Sequence, residues 1–506
     1  MTAVREPLTE PTETAETFDS LSPRTGDVVG TYPVHSTADV DAAVARAREA
    51  AAWWSSLSYD ERGARLTLWK GVITRRLAQL ADVVHRETGK PHSDATLEAA
   101  IALDHIAWAA KNAEKVLKRR KRSSGLVMAN MSATVEYLPL GVVGVIGPWN
   151  YPVYTPMGSI VYALAAGNAV VFKPSELTPG VGHWLAAAFA EVVPEQPVFQ
   201  VVTGLGETGA ALCRSGVNKL AFTGSTATGK RVMAACAETL TPVLIEAGGK
   251  DAFLVDQDAN VEEAADAALW GACSNAGQTC IGVERVYVHE KVYDEFLSSL
   301  LAKARELSAD DSDQAKLGPI TMPSQLGVIK SHIDDALARG GRALLGGAEA
   351  VGERYVQPTI LVDVPEDSTA VQEETFGPTV TVAKVADMDE AVRLANATRY
   401  GLGSTFFGKE RAMEVATKIR SGMTAINSVI SFAAIPTLPF GGVGDSGFGR
   451  IHGPDGLKEF TYAKAIARQR FKPALALTTF RRTAKNDQQL TQLLTVMHGR
   501  GSTLEK

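Results

Sequence analysis

Tyr137 to Lys173 reads YLPLGVVGVIGPWNYPVYTPMGSIVYALAAGNAVVFK, and no charged residue occurs between Glu136 and Lys173. A stretch of that length would suit a membrane span, which needs about 20 consecutive apolar residues. The punctuation argues otherwise. Pro139, Pro148, Pro152 and Pro156, with Gly141, Gly144, Gly147 and Asn150, cut the run into strand-length pieces bounded by turns. Val142 to Ile146 and Ala169 to Phe172 are such pieces, so the region reads as buried sheet.

The same rhythm continues downstream. Short β-rich runs at Val198 to Val202, Leu220 to Thr223 and Val243 to Glu246 are separated by helix-length segments, the alternation of βαβ units in a mostly parallel sheet. A second alternating block follows, with strands at Phe253 to Val255 and Val286 to Val288 and helices from Glu262 towards Ser274 and from Val292 to about Ser308. Two α/β domains are the economical reading. Upstream, Val40 to Leu57 and Asp60 to Thr88 carry apolar residues at helical spacing.

Composition bounds the function. A chain of 506 residues has a prior of roughly three domains at about 150 residues each. Lys and Arg number 51 against 57 Asp and Glu, a net charge of −6, so no global positive field is available to hold nucleic acid. Four cysteines, Cys213, Cys236, Cys273 and Cys280, are too few for a disulfide scaffold and point to thiols in a reducing, cytoplasmic compartment. The first 30 residues, acidic and rich in Pro and Thr at the start, read as an untargeted, fraying tail. The basic run Lys118 to Arg122 reads as a solvated helix end. His residues are scattered without metal-ligand spacing, so no metal site is expected.

Two motifs invite over-reading. Gly204-Leu-Gly206-Glu-Thr-Gly209 spells a dinucleotide fingerprint, but Lys230 stands about where an acidic residue should hold the ribose. Gly224-Ser-Thr-Ala-Thr-Gly229-Lys230 nearly spells a phosphate loop, but Arg231 replaces the Ser or Thr that coordinates Mg²⁺, which argues against a nucleotide triphosphatase. What remains at Phe222 to Ser225 is a strand entering a helix through small residues, a plausible seat for a pyrophosphate. Cys280 ends Asn275-Ala-Gly-Gln-Thr-Cys280 among small and polar neighbours, where a thiol is placed to react; a buried, inert thiol is the competing reading. Glu246 follows the apolar run Pro242 to Ile245, and burial there would raise its pKa as a general base needs; pairing with Lys250 is the competing reading. Asn150 occupies a Pro-bracketed turn.

Taken together, PWNYP at 148, KPSE at 173, FTGSTATG at 222, EAGGK at 246, GQTC at 277, EETFGP at 373 and PFGGVGDSGFGR at 439 resemble the aldehyde dehydrogenase superfamily in order and spacing from about residue 30 to about 470. Ala247 departs from the usual E-L-G-G-K, which implies altered packing beneath the site with the carboxylate kept. The resemblance implies Cys280 as nucleophile, Glu246 as the base that hydrolyses the thioester, and Asn150 with the Cys280 backbone N–H as oxyanion donors. Glu246 also argues against an acylating relative that uses coenzyme A. Trp149, Lys173, Ser175, Glu176, Gly224, Ser225, Gly229, Gly248, Glu374 and Phe376 would bind the cofactor. A carboxylate at Glu176 favours NAD over NADP, with NADP as a secondary cofactor.

The implied fold is α/β: two parallel-sheet domains and a small β oligomerisation flap. A flexible tail over 1–30 would precede a dinucleotide-binding domain over 31–125 and 140–248. A catalytic domain over 249–455, a flap over 126–139 and 456–470, and a C-terminal extension over 471–506 would follow. Self-association to a dimer or tetramer is expected. The substrate pocket would be lined by Tyr151, Tyr154, Thr155, Gly158, Phe432 and Phe440; with no Arg or Lys among them, an apolar aliphatic or aromatic aldehyde is favoured, succinate semialdehyde being the alternative. In the extension, Leu490, Leu493, Leu494 and Met497 form a helical stripe that either docks on protein or lies on a membrane surface beside Arg481 and Arg482.

Overall fold

Ser36 and Ser58 each open a helix, because a serine hydroxyl ahead of an acidic third residue satisfies two stranded donors at once. Ser36 accepts from the Asp39 backbone N–H while Asp39 accepts from Ser36, and Ser58 does the same with Glu61. These caps start Thr37–Ser56 and Tyr59–Arg75 in a computed structural model that describes residues 16–312, 315–473, 475 and 477–499. The second expected helix is in fact two, Tyr59–Arg75 and Leu77–Thr88, broken at Arg76, whose backbone leaves the helical region. Trp54 and Trp69 are buried beneath these helices, and Phe189 meets both rings edge-on.

The chain divides into two compact units, one over residues 1–116 and 139–462 and the other over 117–138 and 463–506. Both large sheets lie in the first. A six-stranded sheet runs Gly447–Phe448, Val243–Ala247, Lys219–Gly224, Val142–Ile146, Ala169–Lys173, Phe199–Val201, with only the first strand antiparallel. A seven-stranded sheet runs Arg342–Leu345, Thr359–Val362, Thr379–Val385, Val283–His289, Asp251–Val255, Ser404–Phe407, Ala425–Ile426, again with only the first antiparallel. Val142, Val143, Ala169 and Val170 are fully buried, as parallel strands covered on both faces require. Among the described residues no helix is long and apolar enough to cross a membrane.

The expected fraying tail ends earlier than residue 30. Residues 1–15 lie outside the described residues, but Thr17–Leu21 and Val28–Pro33 pair as an antiparallel hairpin. The hairpin is anchored by the buried Ser20 hydroxyl, which donates to Glu87 (3.1 Å), and by backbone turns at Ser22 to Asp27.

In the second unit Arg120–Arg122, Met131–Pro139 and Thr461–Gln469 form a three-stranded sheet with the middle range at its centre. The run Lys118 to Arg122 is therefore not a helix end. The preceding helix, His92–Leu117, stops at Leu117, and Arg120 to Arg122 pair with Ala133 to Val135. A capped helix, Ala484–His498, follows, with none of its residues buried.

The short strand Gly447–Phe448 fixes a segment from late in the chain against the six-stranded sheet, with Gly447 opposite Glu246. Next to it, the Ser446 hydroxyl donates to the Gly248 carbonyl (2.8 Å) and accepts from Gly401 N–H (3.0 Å). Gly447 sits at φ +101°, and a Cβ there would lie 2.1 Å from the Ile245 carbonyl oxygen. Gly447→Ala should lower stability by at least about 2 kcal/mol, read as a fall in the thermal unfolding midpoint. Phe448→Ala, at a half-exposed side chain with no such backbone demand, should leave the midpoint nearly unchanged.

Candidate active site

In open parallel sheets the carboxyl ends of the strands form the natural crevice. Here the ends of Val142–Ile146, Ala169–Lys173, Lys219–Gly224 and Val243–Ala247 open onto one cavity of about 780 Å³. Asn150, Glu246 and Cys280 all line it.

Cys280 is delivered by an unusual turn. Asn275, Ala276 and Gly277 take φ of +52°, +53° and +73° in succession, a conformation that costs a non-glycine residue about 1–2 kcal/mol. At Gly277 a Cβ would lie 2.1 Å from the Gly377 carbonyl carbon, so only glycine fits. Side chains hold the turn: Asn275 Nδ2 donates to the carbonyls of Asn150 and Gln278 (both 3.1 Å), and Gln278 Nε2 donates back to Asn275 (2.9 Å). Cys280 is partly exposed, whereas Cys213, Cys236 and Cys273 are buried.

The turn at Asn150 is fixed from beneath by a buried ion pair. Lys90 Nζ donates to Glu98 (2.8 Å) and to the Asn150 carbonyl (2.6 Å), and Glu98 accepts from the backbone N–H groups of Val153 (2.7 Å) and Tyr154 (3.1 Å). Asn150 Nδ2 spends one N–H on the Gln278 carbonyl (3.0 Å), and a primary amide carries two.

Glu246 is 2% exposed, and neither carboxylate oxygen has a hydrogen-bond partner among the described residues. Burial pushes its pKa up to about 8, against a smaller opposing pull from the nearby Cys280 thiol and Thr223 hydroxyl. Burial likewise pushes the Cys280 thiol well up, reinforced by the carboxyl groups of Glu246, Glu374 and Asp251. Lys250 does not pair with Glu246. It pairs with Glu284 and donates to the Thr375 hydroxyl (3.0 Å). Glu284 in turn accepts from the N–H groups of Thr375 (2.8 Å) and Phe376 (3.0 Å), which holds Phe376 at φ +54°.

Trp149, Lys173, Ser175, Glu176, Gly224, Ser225, Gly248, Glu374 and Phe376 line the same cavity. The Lys173 ammonium is nearly buried and lies 3.8 Å from the half-exposed Glu176 carboxylate. Ser225 caps the helix Thr226–Ala237, accepting from Thr228 N–H (3.3 Å). Glu374 accepts from Gly249 N–H (3.1 Å), and the Trp149 and Phe376 rings meet edge to face at 5.5 Å.

With this geometry described, sequence comparison adds the family: a sequence model of the aldehyde dehydrogenase family matches residues 9–466. The chain belongs to the aldehyde dehydrogenase family. It is 35% identical over 494 residues to a 4,4'-diapolycopene aldehyde oxidase of Methylomonas sp., covering 97% of this chain and 93% of that protein. It is 35% identical over 457 residues to a putative NADP-dependent succinate-semialdehyde dehydrogenase of Mycobacterium ulcerans, covering 88% and 87%. The crystal structure of an NAD-dependent aldehyde dehydrogenase from Sinorhizobium meliloti superimposes with a TM-score of 0.87 at 34% identity, covering 92% and 93%.

Not every expected residue reaches the cavity of this aldehyde dehydrogenase. Gly229 lies inside its helix, where a Cβ would press the Ile245 side chain at 3.2 Å; it lets helix and sheet close up. None of the six expected substrate-pocket residues lines this cavity. Thr155, Phe432 and Phe440 are buried, and Gly158 is closed off by Ile451 and His452, which a Cβ would meet at 2.6 and 2.7 Å. Tyr151 bonds Thr279, next to Cys280 (2.9 Å), and Tyr154 donates to the Ala433 carbonyl (2.8 Å). Ala247, the departure from the expected E-L-G-G-K, ends its strand buried opposite Gly224. Conversely, Leu205, Gly206 and Gly209 of the discounted fingerprint do line the cavity, as do Arg214 and Arg231. Lys90, Glu98 and Glu284 carried no local signal, since each acquires its role from a partner distant in sequence.

Glu246 makes stability depend on pH with a definite sign. Between about pH 4.5 and 8 the unfolded chain releases a proton that the folded chain keeps, so this group lowers stability as pH rises and has no further effect above about 8. Relative to the wild type, Glu246→Gln should therefore gain roughly 2–4 kcal/mol between pH 5 and pH 9, read as a widening difference in thermal midpoints.

Proposed function

We propose that the chain oxidises an apolar aliphatic or aromatic aldehyde to the carboxylic acid with NAD, through a covalent adduct on Cys280. The observation that carries the proposal is the unpartnered, buried carboxyl group of Glu246 lining the same cavity as the partly exposed Cys280 thiol. A buried carboxyl that gives up its proton only near pH 8 is a basic carboxylate once ionised, suited to accepting a proton.

Glu246 is the neighbour able to draw the proton from the Cys280 thiol, whose own pKa is too high for spontaneous ionisation. Sulfur then bonds to the aldehyde carbon, and the carbonyl electron pair moves onto oxygen. The second N–H of the Asn150 amide and the Cys280 backbone N–H hold that oxyanion, donors worth about 3 kcal/mol each. A nicotinamide dinucleotide bound in the cavity would supply the hydride acceptor. Glu246 passes the thiol's proton to solvent and then takes one from water; hydroxide adds to the Cys280 thioester carbon, the carbon–sulfur bond breaks with its electron pair on sulfur, Glu246 returns its proton to the thiolate, and the acid leaves.

For the cofactor, the cavity offers the Gly224-Ser225 turn at a helix N-terminus for a pyrophosphate, with Lys173 and Glu176 for the adenine ribose. A half-exposed carboxylate at Glu176 accepts from two ribose hydroxyls and repels a 2′-phosphate, which favours NAD and leaves NADP secondary. For the substrate, Tyr151, Tyr154, Phe432 and Phe440 add no charge, and the cation over the Tyr151 ring, Lys90 (4.3 Å), is committed to Glu98 and Asn150. Succinate semialdehyde is the second reading, favoured by the mycobacterial relative's name. The edge strand Thr461–Gln469 supports self-association to a dimer or tetramer. The thiol chemistry suits a reducing, cytoplasmic setting.

Stopped-flow NADH formation with an apolar aldehyde tests the chemistry. Cys280→Ser should abolish turnover, and Glu246→Gln should give at most one burst per site; multiple turnovers from either variant would refute the roles assigned. In the wild type kcat/KM should rise with pH through about 8, because only the ionised Glu246 accepts a proton. An aldehyde panel tests the pocket: hexanal or benzaldehyde should exceed succinate semialdehyde in kcat/KM by at least about tenfold.

A further inference from the structure

The charge of this chain is unevenly distributed. Residues 117–138 and 463–506, the second compact unit, carry fourteen Lys and Arg against three Asp and Glu, whereas the remainder carries thirty-seven against fifty-four. A protein of net charge −6 thus contains a unit of +11 beside a remainder of −17. Of the unit's three acids, Glu136 pairs with Arg119 (2.9 Å) and Asp487 with Arg482 (2.7 Å). Lys121, Arg122, Lys464, Arg468, Arg470, Lys472 and Arg481 all have exposed side chains.

Apolar side chains are exposed within the same unit. Leu126 (71%), Phe471 (57%), Val496 (74%) and the fully exposed Phe480 lie among those cations in sequence. The helix Ala484–His498 carries Leu490, Leu493, Leu494 and Met497 on one stripe, has no charged residue between Asp487 and its end at His498, and buries none of its side chains. At 15 residues it is too short to span a bilayer. Cations with exposed Phe and Leu, followed by a short amphipathic helix, match the chemistry of a peripheral lipid contact: charge meets anionic headgroups and the apolar side chains enter the acyl boundary. A nucleic acid would use the cations but gain little from Val496, Leu126 or the leucine stripe.

We propose that the second unit docks the enzyme on an anionic bilayer surface, through the cations Arg470, Lys472 and Arg481 that follow its edge strand and through Phe471, Phe480 and the Ala484–His498 helix lying flat in the headgroup layer. The inference rests on charge and exposure in this unit and not on the proposed chemistry, so it stands or falls separately from Cys280.

Co-sedimentation of the full chain with vesicles is the test, using phosphatidylcholine alone and phosphatidylcholine mixed with phosphatidylglycerol. The bound fraction should be at least about tenfold higher on the mixed vesicles and fall steeply with added salt, since opposite charges are screened. Phe471→Ser with Phe480→Ser, and separately Arg481→Gln with Arg482→Gln and Lys472→Gln, should each reduce binding about tenfold or more while aldehyde turnover and oligomeric state stay unchanged. Three results would overturn the proposal: no binding to mixed vesicles; binding that neither variant nor salt alters; or variants that leave vesicle binding intact but dissociate the oligomer, which would assign this surface to a second copy.

Discussion

Burying Glu246 with no hydrogen-bond partner costs the fold stability near neutral pH, because a desolvated carboxylate is far less favourable than a hydrated one. The surrounding structure is arranged to sustain that cost. Val243–Ala247 is an interior strand, flanked on one side by Lys219–Gly224 and on the other by the short return strand at Gly447. Ser446 then bonds the Gly248 carbonyl just past the carboxylate. The nearest cation in sequence, Lys250, is drawn away into the pair with Glu284. Had Lys250 turned toward Glu246, the carboxyl would sit in the ordinary range and lose its affinity for a proton.

A second constraint lies at the turn that carries Cys280. The left-handed turn at Asn275 to Gly277 is unfavourable on its own and exists because buried amides of Asn275 and Gln278 bond across it. The Asn150 turn depends in the same way on Lys90 and Glu98. Both networks meet at the Asn150 carbonyl, which accepts from Lys90 and from Asn275. Strain and satisfied polar networks thus occur at the same place, the combination by which rigid sites hold conformations that local preference would reject.

Much of this was legible before the coordinates. The Pro- and Gly-cut run at 137–173 read as sheet and is sheet, and the alternation after it became two parallel sheets, because burial on both faces leaves a period-free apolar signature that turns must interrupt. Cys280 stood out by its small and polar neighbours, and it is the partly exposed thiol. The misreadings share a cause. The strand Arg120–Arg122 looked like a helix end because three exposed cations carry no periodicity, and its pairing with Ala133 to Val135 is a contact across a turn. The hairpin at 17–33 looked like tail because its anchor, Glu87, is far along the chain.

The sequence by itself determined the class of fold and the alternation of its strands and helices, and it singled out Cys280 and Glu246 as candidates, since these follow from local pattern and from motifs of fixed spacing. Only the tertiary structure decided that Glu246 is buried without a hydrogen-bond partner among the described residues, that Lys90 belongs to Glu98 and Lys250 to Glu284, and that Gly158 faces His452 instead of open space. The physical reason is that desolvation and pairing depend on which groups share a volume, and a chain's local order carries no record of distances between residues far apart along it.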